Sequence, residues 1–337
     1  MVFVNAFLFI FGLVLLVKGS DYFVNSAAAI AKKLGISEFI IGLTLVAVGT
    51  SIPELASSVI AAFKHHSGII IGNVVGSNIA NIGLIVGLSA VIAVIKTHED
   101  MLKRDGYIMI FASLLFYVFI LNGIISKLEA GIFVALYIIY TLFLFETREE
   151  KEDKYHFRQF IGYLFKFRYL KTIRKSFGSR KKDIGSEGIA KDSIIILLGL
   201  AAVIVGANML VDEAIFFANL LGISEIVIAI SIIAVGTSLP ELGVSLSAAR
   251  KGYGDILVGN IIGSNIANIL LIIGVSGFVN PISVSSSTLF ISAPFMLFIS
   301  ILLLVFIRSA WKIRRYEGII FLILYALFIG SLFFIKY

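Results

Sequence analysis

Two related stretches, GTSIPEL (Gly49–Leu55) and GTSLPEL (Gly236–Leu242), decide the architecture of this 337-residue chain. Each places a proline and a glutamate inside a long apolar segment. The surrounding sequence repeats as well, because Gly35–Ala90 aligns with Gly222–Gly277 position for position, without a gap. In this alignment 31 of 56 positions are identical. Self-similarity of this extent indicates duplication and fusion of one ancestral unit.

The composition of the chain is that of a membrane protein. Hydrophobic residues make up 59% and charged residues 15%, with a mean hydropathy of +1.03. In soluble domains roughly 45–50% of the residues are apolar and about 25% are charged. Long uncharged runs alternate with short polar joints, which favours membrane-spanning helices and excludes a soluble globular enzyme. There is no cysteine, so disulfides and thiolate metal sites are excluded.

Hydropathy predicts an all-α integral membrane protein with ten transmembrane helices. The predicted spans lie near 2–17, 38–63, 68–95, 106–125 and 128–145, and near 193–213, 225–249, 255–280, 287–308 and 316–335. Five spans per half mean that the second half enters the membrane inverted. We therefore expect a first five-helix repeat (1–145), a basic amphipathic loop (146–192) and a second, inverted five-helix repeat (193–337).

The distribution of basic residues predicts the orientation. The net charge is +7, and 24 of the 28 Lys and Arg residues fall in the joints after spans 1, 3, 5, 7 and 9, against three on the opposite side. By the positive-inside rule these joints face the cytoplasm and both termini lie outside. The N-terminal apolar run lacks a basic flank and a cleavage site, so it is interpreted as the first span. The expected location is the plasma membrane.

The central loop is the one sizeable segment outside the predicted spans. Aromatic and apolar residues recur at near-helical spacing over 155–177, with basic residues between them. This pattern predicts a cytoplasmic amphipathic helix that lies on anionic lipid; a solvated linker between the halves is the alternative. We expect no nucleic-acid partner and no obligate protein partner.

Two acidic residues, Glu54 and Glu241, lie deep inside apolar segments at equivalent positions of the halves. A charged side chain at the centre of a membrane helix costs roughly 2.5–3.5 kcal/mol and usually has a function. No basic residue in the same spans lies near either glutamate, which argues against a structural ion pair. Inverted halves would bring the two carboxylates together near the midplane.

The residues around each glutamate predict a broken helix lined with oxygen atoms. The proline before each glutamate removes a backbone hydrogen bond, and a glycine four residues before the proline loosens the same turn. Carbonyls such as those of Ala47 and Ala234 can then face a cavity. Thr50 and Thr237 precede the glutamates by four residues and therefore share their helix face.

The span after each glutamate adds a second polar face. Its members are spaced four apart: Asn73, Ser77 and Asn81 in the first half and Asn260, Ser264 and Asn268 in the second. Glycines beside them favour close helix approach, whereas Asn78 and Asn265 lie off this face and are interpreted as packing or helix-breaking residues. The candidate metal-ligating set is Glu54, Glu241, Thr50, Thr237, Ala47, Ala234, Ser77, Ser264, Asn81, Asn268, Ser51 and Ser238.

Such a site contains only oxygen ligands and two carboxylates. This chemistry suits a hard cation, and Ca²⁺ takes 6–8 oxygen ligands in flexible geometry. Two negative charges match one Ca²⁺ or two monovalent ions. One site that either species can neutralise is the physical basis of exchange.

The quoted motifs resemble those of the calcium/cation antiporter superfamily, most closely its prokaryotic sodium/calcium exchangers. GTSIPEL with GNVVGSNIAN, and GTSLPEL with GNIIGSNIAN, are similar to the paired repeats that define this family. The resemblance implies inverted five-helix repeats, alternating access and no cofactor. It also implies that Glu54 and Glu241 bind both Ca²⁺ and Na⁺. Thr50, Thr237 and the Ala47 and Ala234 carbonyls would complete the coordination.

The same resemblance assigns Ser77 and Ser264 to flanking sodium sites and Asn81 and Asn268 to the middle of the site. Relatives, including potassium-dependent exchangers, can carry Asp at the position of Asn268, so the Asn argues against potassium transport. We expect a secondary antiporter that exchanges Ca²⁺ for Na⁺, and not an enzyme. The alternative is a proton/calcium exchanger on the same scaffold, although such proteins usually carry a different motif at the GTS-x-PE position.

Overall fold

A computed structural model describes residues 2–33, 49–97, 99, 101–149, 157–169 and 189–332. The first half contains α1 (Val2–Lys33), α2 (Ile52–Phe63), α3 (Ser67–Ala80), α4 (Gly87–Ile92), α5 (Tyr107–Phe119) and α6 (Lys127–Glu149), and the loop contains α7 (Phe157–Phe165). The second half contains α8 (Ile189–Leu221), α9 (Glu225–Ile228), α10 (Ala234–Thr237), α11 (Leu239–Arg250), α12 (Gly254–Ala267), α13 (Ile273–Val279), α14 (Ala293–Ala310) and α15 (Arg315–Leu332). A 3₁₀ turn (Ile120–Asn122) follows α5, and π-helical turns lie at Asn81–Val86, Met101–Gly106, Ala229–Ile233, Asn268–Ile272 and Thr288–Ser292.

The duplication seen in the sequence recurs in the helices. α2 and α11 begin and end at equivalent positions of the repeat, and so do α3 and α12. α1 and α8 also begin at equivalent positions, and both are long, with 32 and 33 residues. These helices of the first half therefore recur in the second half in the same order.

Eight helical segments in the described part of the chain are long and apolar enough to cross a membrane. A ninth is counted when the pair Glu225–Thr237 and Leu239–Arg250, bent by 50°, is taken as one broken span. The predicted span 38–63 lies partly outside the described residues, and its described part is α2. An all-α membrane protein is thus observed, while the number ten stays a prediction.

Two short antiparallel ribbons join the halves. β1 (Ile95–Lys96) pairs with β4 (Lys312–Ile313), and β2 (Ile124–Ile125) pairs with β3 (Ile282–Ser283). β1 and β3 occupy equivalent positions of the repeat, so each half contributes one strand to each ribbon, in a reciprocal arrangement.

The helix α3 forms the centre of the molecule. Its residues are mainly apolar or small on every side, a pattern typical of a fully buried helix, and every residue from Ile69 to Ala80 is buried. A Cβ on Gly76 would lie 2.7 Å from the Ile230 Cα, which confirms the close approach predicted there. The same prediction is wrong for Gly263, which has no atom within 4 Å of such a Cβ, because α12 lies closer to the surface than α3.

The long helices α1 and α8 cross through glycines from both sides. A Cβ on Gly206 would lie 2.6 Å from the Gly12 carbonyl oxygen, and a Cβ on Gly199 would lie 3.0 Å from the Gly19 carbonyl oxygen. Gly12 and Gly199 are equivalent positions, and so are Gly19 and Gly206. The backbones therefore touch at two symmetric points, as small residues permit.

The loop helix α7 packs its aromatic face against protein. Phe160 and Tyr163 are buried; their rings contact Phe143 at 5.4 and 5.6 Å, and Phe157 lies 5.9 Å from Phe111. The prediction of an amphipathic helix is confirmed over Phe157–Phe165. This part of its apolar face packs on α5 and α6, where the aromatic rings form a cluster, while contact of the helix with anionic lipid stays a prediction. The rest of the predicted segment, 170–177, lies outside the described residues.

Candidate cation-binding site

Each glutamate occupies the first turn of its helix. α2 begins directly after Ser51 and α11 directly after Ser238, and a proline is the second residue of each. Proline fits the first turn because its missing N–H has no partner there in any case. The predicted break is confirmed at α10–α11, where the helix axis bends by 50°. Both carboxylates lie near the N-terminus of their own helix, where the helix dipole favours negative charge.

The two carboxylates are buried and reach across the boundary between the halves. Glu54 and Glu241 are each 1% exposed. Ser238 Oγ donates to Glu54 Oε1 at 2.9 Å, and Ser51 Oγ donates to Glu241 Oε1 at 3.4 Å. Ser264 Oγ also donates to Glu241 Oε1, at 3.3 Å. The structure therefore brings five of the predicted site residues together.

Several oxygens of the site are buried without a hydrogen-bond partner. Among the described residues, ten buried side-chain nitrogen or oxygen atoms lack a partner, and half of them belong to the predicted site. These five are Thr50 Oγ1, Glu54 Oε2, Glu241 Oε2, Asn81 Oδ1 and Asn268 Oδ1. Leaving a buried polar atom unpaired is unfavourable. Carboxylate and neutral oxygens that lack a hydrogen-bond partner are the kind of ligand that a dehydrated hard cation satisfies.

The carbonyl of Ala234 differs from the expectation. It still accepts the helical hydrogen bond from the Ser238 N–H, at 3.1 Å, so the expectation that the proline releases it is wrong; the proline two residues beyond Ser238 removes a different bond. The same carbonyl also accepts from Ser77 Oγ at 3.4 Å and lies 3.3 Å from Thr237 Oγ1. Ala47 lies outside the described residues.

The side chain of Asn73 links the first turn of α2 to α10. Its Nδ2 donates to the Glu54 carbonyl at 3.1 Å and to the hydroxyls of Ser57 and Ser58 at 3.1 and 2.9 Å. Its Oδ1 accepts from Thr237 Oγ1 at 3.2 Å. All hydrogen-bonding ends of this amide are therefore engaged, and it stabilises the first turn of α2.

Asn78 and Asn265 are the polar residues whose role the sequence did not reveal. Asn81 Nδ2 donates to Asn265 Oδ1, and Asn268 Nδ2 donates to Asn78 Oδ1, both at 2.9 Å. The interpretation as packing residues misses these contacts, which link the halves. The available signal was that each stands three residues before a candidate ligand in both copies of the motif.

The candidate asparagines also start π-helical turns. Such turns begin at Asn81 and at Asn268, at the same point of both halves. π-Bulges are rare and are often found at functional sites.

Comparison with known proteins places this arrangement in a family. The fold and site define a helical membrane protein whose two related halves enclose paired carboxylates. The family model described as sodium/calcium exchanger protein matches residues 4–146 and 192–334. The chain belongs to this family, whose members are transporters and not enzymes.

Three individual proteins are similar over nearly the whole chain. Sodium/calcium exchanger MaX1 of Methanosarcina acetivorans is 54% identical, with 99% of this chain and 100% of the relative covered. Putative antiporter CaxA of Alkalimonas amylolytica is 32% identical over 95% of this chain and 94% of the relative. A solved structure of the sodium-calcium exchanger NCX_Mj superposes with a TM-score of 0.63 at 33% identity, covering 98% and 99% of the two chains.

Proposed function

We propose that this protein is a secondary antiporter that exchanges Ca²⁺ for Na⁺ by alternating access, with both ions sharing one site around Glu54 and Glu241. The observation that carries the proposal is the set of five buried side-chain oxygens that have no hydrogen-bond partner. Each carboxylate keeps one oxygen free of hydrogen bonds, and Thr50, Asn81 and Asn268 each add another. Family membership and the similarity to MaX1 and NCX_Mj support Ca²⁺ and Na⁺ as the transported ions.

The charge of the site explains why exchange is coupled. Two buried carboxylates carry two negative charges when ionised, and one Ca²⁺ or two Na⁺ neutralise them. An empty, doubly charged site would resist passage through the apolar interior, because buried charge without a counter-ion is unfavourable. Reorientation would therefore occur with either ion bound, which links the two fluxes.

The long helices α1 and α8 are the elements that we expect to move. They pack on each other through glycines, and together they lie beside α2 in the first half and beside α9 and α10 in the second. In the proposed cycle this pair slides or tilts against the remaining helices and exposes the site to one side of the membrane at a time. The proposal places the protein in the plasma membrane with both termini outside and the 146–192 loop in the cytoplasm.

Calcium uptake into proteoliposomes tests this function. Vesicles containing the purified protein are loaded with Na⁺ and diluted into Na⁺-free medium with radioactive Ca²⁺. We expect uptake with internal Na⁺ and none in vesicles without an ion gradient. Uptake that requires a pH gradient and is independent of Na⁺ would instead establish proton/calcium exchange on the same scaffold.

A further inference from the structure

Two asparagines hold the neutral ligands of the site from across the molecule. Asn78, in the first half, accepts from Asn268 Nδ2, and Asn265, in the second half, accepts from Asn81 Nδ2, both at 2.9 Å. All four side chains are at most 1% exposed. Each holding residue therefore acts on the candidate ligand of the opposite half.

The holding residues are themselves oriented by atoms that only accept hydrogen bonds. Asn78 Nδ2 faces the Asn265 carbonyl oxygen and Met296 Sδ, both at 3.5 Å. Asn265 Nδ2 faces the Asn78 carbonyl oxygen at 3.4 Å and Met109 Sδ at 3.8 Å. A carbonyl oxygen and a thioether sulfur have no hydrogen to donate. Rotating either amide by half a turn would place its oxygen against these two acceptors.

These contacts together determine which atom of each candidate ligand stays without a hydrogen bond. Asn78 therefore presents its amide oxygen to Asn268, and Asn265 presents its amide oxygen to Asn81. Asn268 and Asn81 must then donate from their NH₂ groups. Their Oδ1 atoms then remain, buried and unpaired. A cation is attracted by an amide oxygen and repelled by an amide NH₂, so the orientation decides whether these residues can bind it.

We propose that Asn78 and Asn265, oriented by Met296 and Met109, are positioning residues that turn the amide oxygens of Asn268 and Asn81 toward the transported cation. This inference rests on the proposed function, since it requires an ion beside the carboxylates. Met109 and Met296 stand at equivalent positions of the repeat. The same device is therefore built twice.

The double variant Asn78→Ala with Asn268→Asp separates positioning from packing. An aspartate has oxygen at both ends, so its orientation no longer matters. We expect Asn78→Ala to raise the KM for Ca²⁺ about tenfold in Na⁺-driven uptake, with Vmax changed much less. In the Asn268→Asp background the same change should have little effect on KM. Ser300→Ala is the matched control, because it removes a buried hydrogen bond to the Met296 carbonyl (2.7 Å) without touching the asparagines.

Two outcomes overturn the inference while leaving the proposed function intact. One is a wild-type KM in Asn78→Ala, and the other is an equal rise in KM in both backgrounds, which is the result of a packing defect. Met296→Leu keeps the volume and tests the same contact if Asn78→Ala does not fold. It should raise KM about two- to threefold, and only where residue 268 is Asn. Wild-type protein without Na⁺-driven uptake would contradict the proposed function itself, and this inference with it.

Discussion

At the scale of single residues, charged and neutral ligands should contribute unequally. Glu54→Ala or Glu241→Ala leaves one carboxylate to balance a divalent ion, and we expect either variant to abolish Na⁺-driven Ca²⁺ uptake. Thr50→Val keeps the side-chain shape and removes one neutral oxygen, so it should raise the KM for Ca²⁺ about three- to tenfold. Thr141→Val, which makes the same change in α6 at a hydroxyl that bonds the Tyr137 carbonyl at 2.9 Å, is the control. Wild-type flux in Glu54→Ala would refute the site.

The site residues divide into those that the sequence could identify and those that it could not. A glutamate in an apolar run is visible without a structure, because an ionisable side chain at membrane depth is costly and usually has a function. The same holds for the hydroxyl one turn away. Asn78 and Asn265 act on residues in the opposite half of the chain, and the periodicity of a helix shows only that they lie off the predicted polar face. The hydrogen-bond direction of an amide depends on contacts that only the folded chain defines.

At the scale of helices, the crossing of α1 and α8 gives a prediction about turnover. Gly206→Ala would force its Cβ against the Gly12 carbonyl oxygen and the Leu16 nitrogen, both at 2.6 Å. Overpacking of this kind costs about 1–3 kcal/mol. We expect a lower melting temperature and a lower Vmax with an unchanged KM for Ca²⁺, since the site is untouched. Gly330→Ala, on α15 with no atom within 4 Å of the new Cβ, should behave as wild type. Wild-type melting and Vmax in Gly206→Ala would show that the close crossing is unimportant.

The sequence predicts where a helix breaks better than it predicts what the helix packs against. The break before α11 is predictable because proline removes a specific hydrogen bond. The π-helical turns at Asn81 and Asn268 are not, since one extra residue in a turn has no characteristic composition. The amphipathic pattern of α7 shows that one face needs cover. It does not show that aromatic rings of α5 and α6 cover part of that face.

At the scale of the whole molecule, the proposed inverted arrangement of the halves predicts that equivalent residues face opposite sides of the membrane. Lys127 and Arg314 are such an equivalent pair, both exposed, and they are adjacent to the ribbons β2–β3 and β1–β4. Because the chain has no cysteine, the introduced cysteine of Lys127→Cys or Arg314→Cys is the single thiol of each variant. A membrane-impermeant thiol reagent added to intact cells should label Lys127→Cys and should label Arg314→Cys only after permeabilisation. Labelling of both from the same side would contradict the inverted repeat, and with it the placement of the two glutamates at a shared midplane.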